Sequence, residues 1–234
     1  MLSVDTALPE TLPRALIVPH AGYIYSGSTA ACAYRCLRAD PGRFRRVLLL
    51  GPAHRVYLKG IAIPSVAKFA TPLGDIELDR EALDRLASLP GVEVSDEAHR
   101  EEHSLEVQLP FLQALLPEFT LVPAVVGGVA PERVAAVIDS LAGDPHTLIV
   151  ISSDLSHFLN YREAQQIDAA TCDQILEKST GLRAEEACGA RVINGLMASS
   201  SVRSLSVSLL SACNSGDTAG TADRVVGYAA FELH

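Results

Sequence analysis

Short, unbroken aliphatic runs constrain this chain more than any other feature. ALIVP (15–19), RVLLLG (46–51), FTLVPAVVG (119–127) and TLIVISS (147–153) show little polar alternation, the pattern of strands buried on both faces. Segments with helical spacing separate them. REALDRLAS (80–88) follows two shorter strand-like pieces, GIAIP (60–64) and IEL (76–78), and EHSLEVQLPFLQALL (102–116) reads as a second helix that Pro110 kinks or breaks early. PERVAAVIDSLAG (131–143) has proline in its first turn and glycine at its end, and YREAQQIDAATCDQILEKS (161–179) is a long amphipathic helix. A helix is expected over Thr29–Leu37, capped by Ser26 or Ser28, and a shorter one follows CGARVINGLMAS (188–199). Near the end, SVRSLSVSLLSAC and VVGYAAFEL are β-type runs joined by NSGDTAGTADR, and they should pair antiparallel in the same sheet. The expected class is α/β: one domain over residues 1–234 with a mixed, mostly parallel central sheet and helices on both faces.

Composition narrows the function classes. With 234 residues, 48% of them hydrophobic, the chain can bury a substantial core, and no Ser/Gly/Pro-rich linker divides it. The 19 basic and 28 acidic residues leave a net charge of −9, which removes the nonspecific phosphate attraction on which nucleic-acid binding rests. No apolar run approaches the roughly 18 residues of a membrane span, and MLSVDTALPETLPR has no basic region followed by an apolar stretch. A soluble, cytoplasmic protein is expected. Five irregularly spaced cysteines point to reduced thiols.

Histidine placement carries the functional signal. His20 follows ALIVP, His54 follows VLLLGPA and His157 follows TLIVISSDLS, so three imidazoles lie just beyond strand ends. Ligands of open α/β sheets bind in the crevice outside those carboxyl ends. Either the three share a metal or acid/base site, or they are solvated loop residues. In PHAGYIYSG, proline and glycine make the turn, and Tyr23 and Tyr25 could wall a pocket. SSDLSH sets Asp154 beside His157, either as a cap for the next turn or as the partner of a base. Glu102, His103 and Glu106 would share one helical surface without completing an H-E-x-x-H pair, so Glu102 and His103 are supporting residues at most. Cys32 and Cys36 read as helix packing, whereas Cys188, at an expected helix start, should have a lowered thiol pKa. Walker, G-x-G-x-x-G and G-x-S-x-G patterns are missing.

PHAGYIYSG, GPAH, EHSLEVQLPFL, SSDLSH, the Cys188-Gly189 pair, NSGD and VGYA, in this order, resemble the Memo family, called AmmeMemoRadiSam system protein B in bacteria and archaea. The resemblance implies a fold like that of the class III extradiol dioxygenases. It also implies a metal held by His20, His54 and Cys188, with His157 as general acid/base and Asp154 beside it. A thiolate in place of the dioxygenase carboxylate is softer and favours copper or zinc, with iron the metal of the parent chemistry. Two functions follow from the resemblance. One is a dioxygenase-like oxidoreductase acting on a small molecule with iron or copper. The other is a non-catalytic protein that binds a metal or a peptide segment and works beside radical-SAM and AMMECR-type proteins.

Overall fold

A computed structural model describes Leu2 and residues 11–234; of the N-terminal stretch discussed above, residue 1 and residues 3–10 lie outside it. The aliphatic runs form β1 (Ala15–Val18), β2 (Arg46–Pro52), β7 (Thr120–Val126) and β8 (Thr147–Ser152), with β3 (Ile61–Ile63), β4 (Lys68–Thr71), β5 (Gly74–Glu77), β6 (Val92–Val94), β9 (His157–Leu159), β10 (Val207–Asn214) and β11 (Val225–Leu233) completing the strands. The helices are α1 (Tyr23–Tyr34), α2 (Arg80–Ala87), α3 (Asp96–Arg100), α4 (Leu109–Leu115), α5 (Pro131–Ala142), α6 (Tyr161–Leu176) and α7 (Ala190–Ala198).

Among the described residues, one nine-stranded sheet runs β10-β11-β1-β8-β2-β7-β3-β6, with β9 paired to β11, and β4-β5 forms a separate hairpin. β1, β8, β2 and β7 are parallel neighbours, and β6 is parallel to β3. β3 joins β7 antiparallel, and β11 joins β1 antiparallel. The sheet is therefore mixed and mostly parallel in one α/β domain. The two C-terminal strands pair antiparallel as expected, with a register shift between Leu209 and Ser211. Burial explains why the central strands lack alternation: Leu16, Val47 to Leu50, Leu121 and Leu148 are all fully enclosed by helices packed over the sheet. Pro123 is tolerated inside β7 because β3 pairs only with Val125 and Val126, so no partner beyond them needs the missing N–H.

Two expected helices are corrected. α1 begins at Tyr23, not Thr29, with Gly22 as its N-cap, and neither serine caps it; the Ser26 hydroxyl instead donates to Ala21 O at 2.8 Å. Its last turn tightens into a 3₁₀ segment, Arg35–Ala39. The 102–116 helix breaks into a loop, a 3₁₀ turn at Glu106–Gln108 and then α4, with Pro110 in its first turn where no intrahelical N–H is required. Glu102 and His103 thus lie in a loop and do not share a helical surface with Glu106. α5 and α6 match their sequence patterns. All five cysteines are free, and no described helix is long and apolar enough to cross a membrane.

Candidate metal centre

Strand order brings the distant histidines together. β8 lies between β1 and β2, so His20, His54 and the Ser152–His157 segment all leave the sheet at adjacent carboxyl ends. Two glycines let the remaining segments approach. A Cβ on Gly51 would meet the Ser104 hydroxyl at 2.7 Å, so glycine allows the Glu102–Leu105 loop to lie against the end of β2. A Cβ on Gly189 would meet Ser153 Cβ at 2.6 Å, so glycine allows Cys188 to approach the end of β8.

The imidazoles of His20, His54 and His103 pack as a cluster, with one ligand atom from each within 4.8 Å of the others. Ring centroids lie 5.3 Å apart for His20–His54, 5.5 Å for His20–His103 and 4.8 Å for the stacked His54–His103 pair. Cys188 Sγ is 3.4 Å from His20 Nε2. His103, assigned from the sequence only a supporting place, stands as the third imidazole of the cluster. Its signal was in the motif EEHS, but nothing in that spacing placed the loop against β2.

Hydrogen bonding sets which ring nitrogens are free. The Ser152 hydroxyl spends its one proton on Ser104 O at 2.6 Å and accepts from Gln108 Nε2 at 2.9 Å, so its 2.9 Å contact with His20 Nδ1 has the ring N–H donating. Gln108 is itself fixed, donating to Pro19 O and accepting from the Tyr34 hydroxyl. In neutral His20, Nε2 therefore carries the lone pair and faces Cys188. The His54 ring is oriented likewise, because Nδ1 contacts the Glu102 carboxylate at 2.9 Å, which can only accept. Glu102 also accepts from the backbone N–H groups of His54 at 2.6 Å and of His103 and Ser104 at 2.9 Å each. Burial acts to raise the Glu102 pKa, but the bonds from the His54 ring and from backbone donors outweigh it and hold the carboxyl at about 2. Carboxylate–histidine pairs of this kind orient metal ligands.

Burial, reinforced by the neighbouring imidazoles, pushes His20 well below the ordinary histidine pKa, and burial followed by His54 lowers His103. Both are neutral near pH 7, the form that binds metals. His103 Nδ1 is buried and accepts or donates no hydrogen bond, although Glu102 Oε1 is 3.4 Å away. Cys188 departs from the low-pKa expectation: desolvation, then the nearby Asp154 carboxylate, push its thiol up to about 12. The Gly189 N–H just ahead of α7 and the Ser153 hydroxyl act to lower it, but they do not outweigh burial. Asp154 N–H points to Sγ at 3.3 Å, a contact that favours the thiolate.

These residues fit a transition metal. Two ligands on one tetrahedral ion stand about 3.3 to 3.7 Å apart, given bonds of roughly 2.0 to 2.3 Å, and the His20–Cys188 separation falls in that range. The donors are nitrogen and sulfur, because the oxygens of Glu102 are occupied by hydrogen bonds. Such a set suits iron, copper or zinc over magnesium or calcium.

The other expected residues are placed as follows. Asp154 is buried and accepts the backbone N–H of His20 at 2.7 Å and of Ala21 at 3.3 Å, so it holds the His20 turn. His157 Nδ1 pairs with Leu155 O at 2.8 Å, which leaves Nε2 as acceptor, and it lies close enough to His20 and Asp154 to affect the charge of both. Tyr23 donates to Val107 O and packs edge-on against Phe111, facing a groove formed with residues 70–72, Glu106, Val107, Leu109 and Pro110. Tyr25 is half-buried. A cavity of about 450 Å³ opens from His54 and Cys188; Tyr57, Leu58, Lys59, Gly127, Arg191 and Val192 are among its walls, and Tyr23, Tyr25 and His157 are not. Nothing in the sequence pattern marked the 56–59 loop or Arg191 as part of the site.

Comparison with known proteins gives the lineage. Residues 3–232 match the family described as Memo-like protein. A MEMO1 family protein of Aquifex aeolicus (strain VF5) is 36% identical over 234 residues, covering 92% of this chain and 84% of its own length. A MEMO1 family protein of Nitrosopumilus maritimus (strain SCM1) is 34% identical over 231 residues, covering 93% and 83%. The protein memo-1 homolog of Caenorhabditis elegans is 39% identical over 162 residues, covering 66% of this chain and 46% of the homolog. The uncharacterized protein JW3007 from Escherichia coli K12 shares the fold at TM-score 0.60 and 12% identity, over 96% of this chain and all of that one. The family match and the long relatives agree: the chain belongs to the Memo-like family.

Proposed function

We propose that this protein is a metal-dependent oxidoreductase-like enzyme, with His20, His54 and Cys188 holding iron or copper, His103 completing the imidazole wall, and a small molecule entering the 450 Å³ cavity. The observation that carries this reading is the convergence of oriented imidazole nitrogens and a thiol at one end of the parallel strands, where α/β folds bind ligands. When bound, the metal supplies a Lewis acid and a redox centre. The chain's own residues do the rest. Glu102 and Ser152 hold the two rings in their ligating tautomers, Asp154 fixes the turn that carries His20, and His157 takes up a proton at Nε2. Zinc is the alternative ion for the same donors.

The donor set favours a second reading on one point. With no carboxylate among the proposed ligands, the protein would hold its metal or a peptide segment without turnover, beside radical-SAM and AMMECR-type partners. Metal analysis of protein purified without added metal or chelator, coupled to oxygen uptake over a panel of catechols, separates the two. Iron or copper with uptake that disappears in His157→Ala supports the enzyme. Stoichiometric copper or zinc with no uptake supports the binding protein, and protein that takes up none of the three metals refutes the enzyme and the metal-holding form of the second reading.

A further inference from the structure

The cavity at the metal centre has a charge pattern of its own. Lys59, from the loop between β2 and β3, and Arg191, from the first turn of α7, both line it, together with His54 and Cys188. No aspartate or glutamate is among its lining residues. Neither cation has a carboxylate partner among the described residues; Lys59 Nζ instead stands 5.8 Å from the centre of the exposed Tyr57 ring. In a chain with 28 acidic and 19 basic residues, two unneutralised cations flanking a cavity free of acids run against the overall composition. The only other ionisable groups on its walls are the thiol of Cys188, the phenol of Tyr57 and the imidazole of His54, whose Nδ1 side is committed to Glu102.

We propose that Lys59 and Arg191 form an anion subsite, so that the ligand of this cavity is a small molecule carrying one carboxylate or phosphate group. This rests on the reading of the cavity as the substrate chamber of the metal centre. Arginine offers a planar fork that pairs with either oxyanion, and lysine a mobile point charge. The cavity volume is in the range of small-ligand pockets and too small for a folded partner. The neighbouring walls, Val56, Leu58, Val126 and Val192, are apolar and would cover the body of such a ligand, in a cavity that His54 and Cys188 also line. Together the residues specify a ligand with an anionic group and an apolar body.

The test is calorimetric titration of benzoate, methyl phosphate and neutral benzamide into the full chain at pH 8, as purified and again after removal of metal. Benzoate or methyl phosphate should bind at least tenfold more tightly than benzamide, and the tighter of the two identifies the anion. Lys59→Gln and Arg191→Gln should each weaken anion binding roughly two- to fivefold, as expected for exposed charge pairs, with benzamide and metal content unchanged. Lys59→Arg should retain the anion preference, and added salt should reduce it. Equal affinity for benzoate and benzamide, no detectable anion binding, or unchanged anion affinity in both glutamine variants would overturn the proposal. The metal-free arm keeps the two readings apart. Anion preference that survives in a protein unable to hold metal refutes the metal centre alone, whereas a stoichiometric metal with no anion preference refutes this subsite alone.

Discussion

Glu102→Gln tests the centre most directly, because one carboxylate organises both the His54 ring and the loop that carries His103. In the wild type, Oε1 accepts from His54 Nδ1 and the backbone N–H groups of His103 and Ser104, and Oε2 accepts from His54 N–H. A glutamine of the same shape can place its carbonyl oxygen where Oε1 stands and keep three bonds. Its NH₂ then faces the His54 N–H, donor against donor, in a site where the wild-type side chain is almost wholly enclosed. The orphaned pair costs about 1 to 3 kcal/mol, and the three retained bonds weaken on losing the charge, so the sum is on the order of 3 kcal/mol at pH 7. The pH dependence has a definite sign. The folded-state pKa of Glu102 is depressed to about 2 from an ordinary 4.5, so its contribution is fully present above about pH 4.5 and is lost as pH falls toward 2. Urea unfolding of wild type and variant should therefore differ most at pH 7 and converge only as pH falls to about 2. Metal affinity, measured by chelator competition, should drop roughly 10- to 100-fold in the variant, since the His54 ring loses its anionic partner. A stability gap below about 1 kcal/mol at pH 7, a gap that does not shrink in acid, or affinity within twofold of wild type would refute the role given to this carboxylate.

Three further outcomes follow from the same geometry. Ser152→Ala removes the acceptor for His20 Nδ1 and one partner of Gln108, which should cost about 1 to 3 kcal/mol in chemical unfolding and lower metal affinity, while Ser152→Thr, which keeps the hydroxyl, should lose less. Gly51→Ala forces a methyl against Ser104 and Leu105 in the packed loop, so stability should fall by about 1 to 3 kcal/mol and the loop bearing Glu102 should gain amide exchange. Asp139, on α5, binds the hydroxyls of Ser199 and Ser200 and the N–H groups of Ser200 and Ser201; burial opposes its ionisation, but these bonds hold its pKa at about 2. Asp139→Asn should cost about 1 kcal/mol after solvent screening, present above about pH 4 and lost as pH falls toward 2, as read by urea midpoints at pH 7 and pH 2.5.

Much of the architecture was legible because burial leaves a direct mark on strand composition. Residues enclosed on both faces must be apolar without alternation, so ALIVP, RVLLLG, FTLVPAVVG and TLIVISS declared β1, β2, β7 and β8, and the histidines after three of those runs had to leave from strand ends. The proline and glycine that bracket α5 were equally local signals. β6 and β9, three residues each, were not anticipated, because so short a strand depends on the neighbour it pairs with.

What only the tertiary structure decided is who meets whom. Periodicity carries no strand order, and it is the placement of β8 between β1 and β2 that joins His20 to His54 across a 34-residue gap. His103 became a member of the cluster because the 102–116 segment broke into a loop that Gly51 admits against β2, an event governed by contact with residues some 50 positions away. The thiol of Cys188 was judged from its place before a helix, yet desolvation beside Asp154 dominates a terminal dipole, and desolvation depends on what the fold packs around an atom. Lys59 and Arg191, 132 residues apart and unremarkable in sequence, share a cavity for the same reason: local chemistry chooses the elements, and the packing of those elements chooses the neighbours.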